Sequence, residues 1–178
     1  MAMQQFKQQK ARIPLILFKI GDEEFAINLL DAKEIIQAGQ VRKLPESHDY
    51  LEGIYNYRGK IIHIINLRKK LRATDHWRYR SGVGVEDIKH INVIRYFIIS
   101  TINGNDVGFT VDDVMNISYV TPESIDNTYE IIQTSIDIDY IKGIVKLKDK
   151  PRILIDFGKI LNEGDQQVMQ NQETEIPA

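Results

Sequence analysis

Four histidines, at positions 48, 63, 76 and 90, and no cysteine bound the chemistry open to this 178-residue chain. None of the histidines has the paired spacing of a His-Glu-x-x-His metal site, and without thiolates neither a disulfide nor a cysteine zinc site can form. The adjacent carboxylates Asp112 and Asp113 would point to opposite faces of a strand, so they cannot act as an acid/base pair. They read instead as a turn and a solvated edge. The stretch "SGVGVED" holds a Gly-x-Gly but lacks the third glycine of a dinucleotide fingerprint, and no Gly-x-Ser-x-Gly elbow or phosphate-binding loop occurs. His63, between two isoleucines, reads as a packed residue. This inventory argues against an enzyme, and no metal or cofactor is expected.

Charge is the next property that could carry a function. Residues 1–90 hold 16 Lys/Arg against 11 Asp/Glu, and residues 91–178 hold 7 against 14. A run of basic residues lies between Arg58 and Arg80, and Arg68, Lys69, Lys70, Arg72, Trp77, Arg78 and Arg80 are the ones a nucleic acid could use. No aromatic-basic alternation runs along the strands, however, and the second half is acidic, so a solvated face is the simpler reading. No apolar run reaches the roughly 18 residues of a membrane helix. The N-terminus "MAMQQFKQQKAR" lacks the apolar centre of a signal peptide. A cytoplasmic protein with no direct membrane insertion is the expectation.

The elements that must position these residues are mostly strands. Isoleucine, a β-branched strand former, accounts for 29 of the 178 residues. "LILFKIGDEEFAINL" reads as two strands around a turn at Gly21-Asp22, and "VIRYFIISTINGNDVGFTVDDVMNI" repeats that pattern with Gly104 in the place of Gly21. "DAKEII" begins with a cap or bend at Asp31. "YLEGIYNY" and "KIIHIINL" form a hairpin turning at Arg58-Gly59, followed by a short helical exit at "RKKL".

The chain is also an internal duplication. Shifted by 90 residues, "DYIKGIVKLKDKPRILIDFGKIL" lies without a gap on the segment ending at Leu71. Asp49-Tyr50 falls on Asp139-Tyr140, and Gly53-Ile54 falls on Gly143-Ile144. Each half has about five short strands, too few for a sandwich, and a small barrel removes their edges. The expected fold is all-β, with two tandem five-stranded barrels related by a pseudo-twofold axis and short helices at the connections and C-terminus. The barrels would span approximately 14–72 and 92–161, with a long charged connection over 73–91. Residues 1–13 and 162–178, Gln-rich and polar, read as a flexible N-terminus and a polar tail.

In their order, "GDEEFAINLLDAKEI", "YLEGIYNYRGKIIHIINLRKKL", "VGFTVDDVMNI" and "DYIKGIVKLKDKPRILIDFGKIL" resemble the CheW family, the coupling proteins of bacterial and archaeal chemotaxis arrays. The resemblance runs from about Pro14 to Leu161. Its most specific element is a Gly-Ile/Val, Asn-Leu-Arg-Gly turn followed by an apolar strand and Asp-Leu-Arg. Here it reads Gly53-Ile54, Asn56-Tyr57-Arg58-Gly59 and Asn66-Leu67-Arg68, with Tyr57 departing from Leu and Asn66 from Asp.

The resemblance implies SH3-like barrels and a non-catalytic adaptor that bridges the cytoplasmic tips of methyl-accepting chemoreceptors to the regulatory domain of the histidine kinase CheA. Glu34 and Arg58 fall on a family pair important for that coupling, and a bidentate bridge between them would fix the turn. The same resemblance draws in Gly53, Asn56, Tyr57 and Gly59 around the turn, and Leu30, Ala32 and Ile35 as an apolar receptor-binding neighbourhood. Core burial would explain those three apolar residues equally well. For Gly53 and its duplicate Gly143, a fold requirement for close backbone approach is an equal reading. A CheW-like adaptor of another two-component system, or a nucleic-acid-binding barrel, are the alternatives.

Overall fold

The computed structural model describes residues 11–45, 47–72, 94–127 and 136–174. The connection 73–91, Trp77, Arg78 and Arg80 within it, and the first ten residues lie outside them. Among the described residues eleven strands form two sheets. Strands β1 (Ile13–Ile20), β2 (Glu23–Asn28), β8 (Asp113–Val120), β9 (Ile125–Asp126), β10 (Ile141–Lys146) and β11 (Pro151–Ile155) make one, in the order β8-β1-β2-β11-β10-β9. The other contains β3 (Glu34–Gln37), β4 (Leu51–Tyr57), β5 (Lys60–Asn66), β6 (Tyr96–Ile102) and β7 (Asn105–Val111), in the order β3-β6-β7-β5-β4. Among the described residues there are three α-helices: α1 (Leu67–Leu71) after β5, α2 (Phe157–Ile160) after β11, and α3 (Glu163–Thr174) after α2.

The sheets do not divide at the connection, as tandem barrels over 14–72 and 92–161 would. The first-half hairpin β1–β2 joins the second-half sheet through a parallel pairing of β2 with β11 (Phe25 opposite Ile153). The second-half hairpin β6–β7 joins the first-half sheet through β5 and β7, also parallel (His63 opposite Val107). Each half lends a hairpin to the other. The physical reason lies in β1: Leu15 and Leu17 enter the core of its own sheet, while Ile16, Phe18 and Ile20 enter the large core between the sheets. A strand buried on both faces carries no polar side to mark which sheet it belongs to.

The 90-residue repeat is visible in detail. β4–β5 shifts register between Leu51 and Gly53, and β10–β11 shifts between Ile141 and Gly143. The Asn66 N–H donates to the Tyr50 carbonyl at 2.7 Å, and the Asp156 N–H donates to the Tyr140 carbonyl at 2.9 Å. Asn66 and Asp156 then cap α1 and α2. Both sheets curl toward closure at the glycines. The chain leaving β3 exchanges two backbone hydrogen bonds with β4 between Arg42 and Ile54, each 2.9 Å. On the other sheet β8 continues through a 3-10 turn into β9, which pairs with β10. A Cβ on Gly53 would collide with the Arg42 carbonyl, and one on Gly143 would lie 2.8 Å from the Ile125 side chain. Gly53 also has φ +142°, open to glycine alone.

The largest core lies between the sheets and stacks Phe18, Phe25, Phe109 and Phe157, the last two with ring centroids 4.4 Å apart. Burying each such side chain stabilises by roughly 1.5–3 kcal/mol. Asp112 is one of the polar residues that join the halves. Asp112 accepts from the Gly21 N–H at 2.6 Å and pairs with Arg68, so it is a structural bridge rather than part of a solvated edge. The region expected to fray after Asn162 holds α3, whose Asp165 and Met169 are buried.

Candidate interaction surface

The β4–β5 turn has two central residues, Arg58 at φ +52° and Gly59 at φ +82°, with Tyr57 directly opposite Lys60. Positive φ at both positions is what a type I′ hairpin demands, and it matches the twist of the flanking strands. Asn56 secures the turn by accepting the Gly59 N–H at 2.9 Å on its side-chain oxygen. The conformation therefore follows from Asn56-Tyr57-Arg58-Gly59 itself.

Glu34, the first residue of β3, meets this turn across the seam of the five-stranded sheet. One carboxylate oxygen accepts from Arg58 Nη2 at 2.7 Å, and the other accepts from the Tyr57 hydroxyl. The bridge is thus not bidentate as expected: the phenol of Tyr57 takes the place of the second guanidinium N–H. The Arg58 and Tyr57 hydrogen bonds hold the Glu34 carboxyl below its ordinary pKa, and the bond to Glu34 raises that of Tyr57. Beside them Lys33 Nζ lies 2.7 Å from Asp106, which also accepts from Thr101 at 2.7 Å. The Tyr57 ring lies 5.7 Å from the Arg58 guanidinium carbon and 5.8 Å from Lys33 Nζ, within cation–π range of both. The Arg58 side chain is 72% exposed and that of Glu34 29%, so the cation is the more solvent-exposed member of the pair.

The other expected residues divide. Leu30 is 82% exposed on a 3-10 turn whose geometry is set by Asn28, the side chain of which accepts the Leu30 N–H. Ile35 is exposed, while Ala32 is half-buried against the central core. Gly53 sits at the opposite end of β4 from the turn, at the closure with Arg42. Sequence reasoning missed the exposed apolar row Met115, Ile117 and Tyr119 on β8. Their alternation in "VMNISYV" was the available signal. Ile117 lies opposite Ile16, itself opposite Ile27, so this row extends the face that forms the central core.

The basic residues after β5 are largely used within the fold. Arg68 pairs with Asp112, Lys69 lies 2.9 Å from Asp49, and Lys70 is buried 2.7 Å from Asp165. A cavity of about 510 Å³ lies nearby, lined in part by Lys43, His48, Lys69 and Arg95. Glu52 in its wall accepts from Asn66, Thr110 and Arg95. His63 is buried, and burial lowers its pKa. Among the described residues no group of three or more His, Asp or Glu is placed to hold a metal ion. No described helix is long and apolar enough to cross a membrane.

Comparison with known proteins places this arrangement. The sequence profile of the CheW-like domain matches residues 14–165. The chain is 28% identical over 157 residues to the chemotaxis protein CheW of Treponema pallidum, covering 88% of this chain and 86% of that one. It is 30% identical over 151 residues to a probable chemotaxis protein CheW of Rhizobium etli, covering 85% and 88%. The crystal structure of the scaffolding protein CheW from Thermoanaerobacter tengcongensis superposes with a TM-score of 0.71 at 25% identity, over 89% of this chain and 94% of that one. The chain belongs to the CheW-like domain family.

Proposed function

We propose that this chain is a non-catalytic chemotaxis adaptor that couples the cytoplasmic tips of chemoreceptors to the regulatory domain of the histidine kinase CheA. It would reside in the cytoplasm and reach the membrane only through the receptors. The observation that carries this reading is the rigid Arg58 turn, braced by Glu34 and Tyr57 and displayed to solvent, in a chain whose residues 14–165 match the CheW-like domain. An exposed apolar side chain on each of two neighbouring elements, Leu30 and Ile35, supplies area that a docked helix or strand could bury. Affinity for each partner can be modest, because linked contacts in an array multiply. A nucleic-acid role is disfavoured by the ion pairs that engage Arg68 and Lys70 within the fold and Lys69 at the surface with Asp49.

Calorimetric titration with the purified regulatory domain of the cognate CheA tests the reading, with nucleic acid at two salt concentrations as the control. Saturable one-to-one binding to the kinase domain is expected, with no nucleic-acid affinity. Binding to neither the kinase domain nor a receptor fragment would point to a CheW-like adaptor of another two-component system. Salt-sensitive binding to nucleic acid alone would overturn the adaptor function altogether.

A further inference from the structure

Tyr57 meets three charged groups at the turn, Glu34, Arg58 and Lys33. Its body is buried in the inner cluster of the five-stranded sheet, with Ile62, Ile64, Phe97 and Ile99. Its hydroxyl emerges to donate to Glu34, and its ring face lies against both Arg58 and Lys33. The Arg58 backbone is set by the two-residue turn, yet its guanidinium gives Glu34 a single 2.7 Å hydrogen bond and leaves most of the side chain in solvent. A guanidinium held by one hydrogen bond can pivot about it. The Tyr57 ring restricts that pivot from one side, and the Tyr57 hydroxyl keeps the carboxylate from turning with it.

The charges left over define what would dock. Glu34 is occupied by Arg58 and Tyr57, and Asp106 by Lys33 and Thr101. Lys60, the cross-strand neighbour of Tyr57, is exposed on the same turn. The tip is therefore cationic, and it carries the guanidinium of Arg58, whose fork matches a carboxylate.

We infer that Tyr57 is a positioning residue of the docking surface, holding Glu34 and bracing Arg58 so that the open edge of the guanidinium receives a carboxylate of the bound partner. This rests on the adaptor reading above. Arg58 acts on the partner directly; Tyr57 acts through it.

The test is a double-mutant cycle of Tyr57→Phe and Arg58→Ala, read by calorimetry against two probes at two salt concentrations. The probes are a soluble chemoreceptor tip fragment and the CheA regulatory domain. For the probe that contacts the turn, loss of a hydrogen bond to a charged group in Tyr57→Phe should weaken binding by about 3–10-fold. In the Arg58→Ala background the same change should alter affinity by less than about twofold, because the residue it positions is gone. The salt dependence of binding should fall in Arg58→Ala. Equal losses from Tyr57→Phe in both backgrounds mark a merely structural residue and overturn the inference. So does an unchanged salt dependence in Arg58→Ala, since a carboxylate partner cannot then be involved. Wild type binding neither probe overturns the adaptor reading and this inference with it, whereas tight binding indifferent to Tyr57→Phe overturns the inference alone.

Discussion

Replacing Asp165 with alanine asks whether the C-terminal helix is an integral part of the fold. Asp165 and Lys70 form an ion pair at 2.7 Å with side chains only 8% and 7% exposed. The Tyr50 hydroxyl and the Asn162 N–H also donate to Asp165. Lys70 Nζ lies 4.1 Å from the Tyr50 ring centroid and 5.8 Å from that of Tyr140, the residue that duplicates Tyr50. Removing one member of a buried pair costs about 3–5 kcal/mol. Two reliefs reduce this. The orphaned ammonium keeps its aromatic neighbours and can bend its stem toward water, which recovers roughly 1 kcal/mol.

There is also a ceiling, because α3 can undock and hydrate Lys70. Undocking forfeits the burial of Met169, roughly 1.5–3 kcal/mol, and the cap that Asn162 gives to the Asp165 N–H, about 1 kcal/mol. The expected loss is therefore about 2–4 kcal/mol, or a fall in Tm of roughly 4–16 °C at about 2–4 °C per kcal/mol for a chain of this size. Urea unfolding followed by circular dichroism measures it. The paired replacement Lys70→Met with Asp165→Leu should restore at least half of the loss, since no charge is then buried alone. A single-mutant loss below about 1 kcal/mol would refute the reasoning, because a pair this buried cannot then be intact in solution.

Acid should act at the same place. Burial alone would push the Asp165 carboxyl up, but the hydrogen bonds from Lys70, Tyr50 and Asn162 outweigh it and leave the pKa below the ordinary value. A depressed folded pKa gives stability that is complete above the unfolded value, about 3.9, and is lost as pH falls through the folded one. Glu24, beside Arg152 and Lys150, and Asp106, beside Lys33, are lowered too. Tm should thus decline below about pH 4, and less steeply in Asp165→Ala. Among the glycines, Gly53→Ala should cost about 3 kcal/mol or more in urea unfolding, from positive φ and overpacking together. Gly59→Ala, with open space around the added methyl, should cost only about 1 kcal/mol. A fragment ending at Arg72 lacks the β6–β7 hairpin and should show no cooperative unfolding transition by circular dichroism.

How much of this was legible in the sequence depended on whether the information was local. The ungapped match at a shift of 90 residues located both bulged hairpins, because Gly53 and Gly143 mark the same break in register. The turn chemistry of Asn56-Tyr57-Arg58-Gly59 announced a two-residue hairpin for the same reason. The exchange of hairpins was invisible, since "IPLILFKI" is apolar on both faces and fits either sheet. Asp112 looked solvated because its partners, Gly21 and Arg68, are distant in sequence. A short C-terminal helix was expected, but the docking of α3 was hidden by its glutamines, although Asn162 and Asp165 form a reciprocal cap. A polar residue at each end of such a box was the signal to read.

The position of the Arg58 turn follows from that exchange. Glu34 and Arg58 both belong to the first half, yet between the strands that carry them lies the second-half hairpin, with Glu34 opposite Ile99, Ile99 opposite Gly108 and Gly108 opposite Ile64. Glu34 and Arg58 do not meet through this row. They meet across the seam, where the β3 edge comes round to the β4–β5 turn. The same seam is joined lower down by the Arg42–Ile54 bridge, which Gly53 permits by having no Cβ. Gly53 and Arg58 are thus two points on one closure, one excluding a side chain and the other displaying one. Any residue that widened the seam at Gly53 would draw Glu34 away from Tyr57 and Arg58 without touching either. The close backbone approach at Gly53 and the Glu34–Arg58 pair therefore depend on one and the same closure.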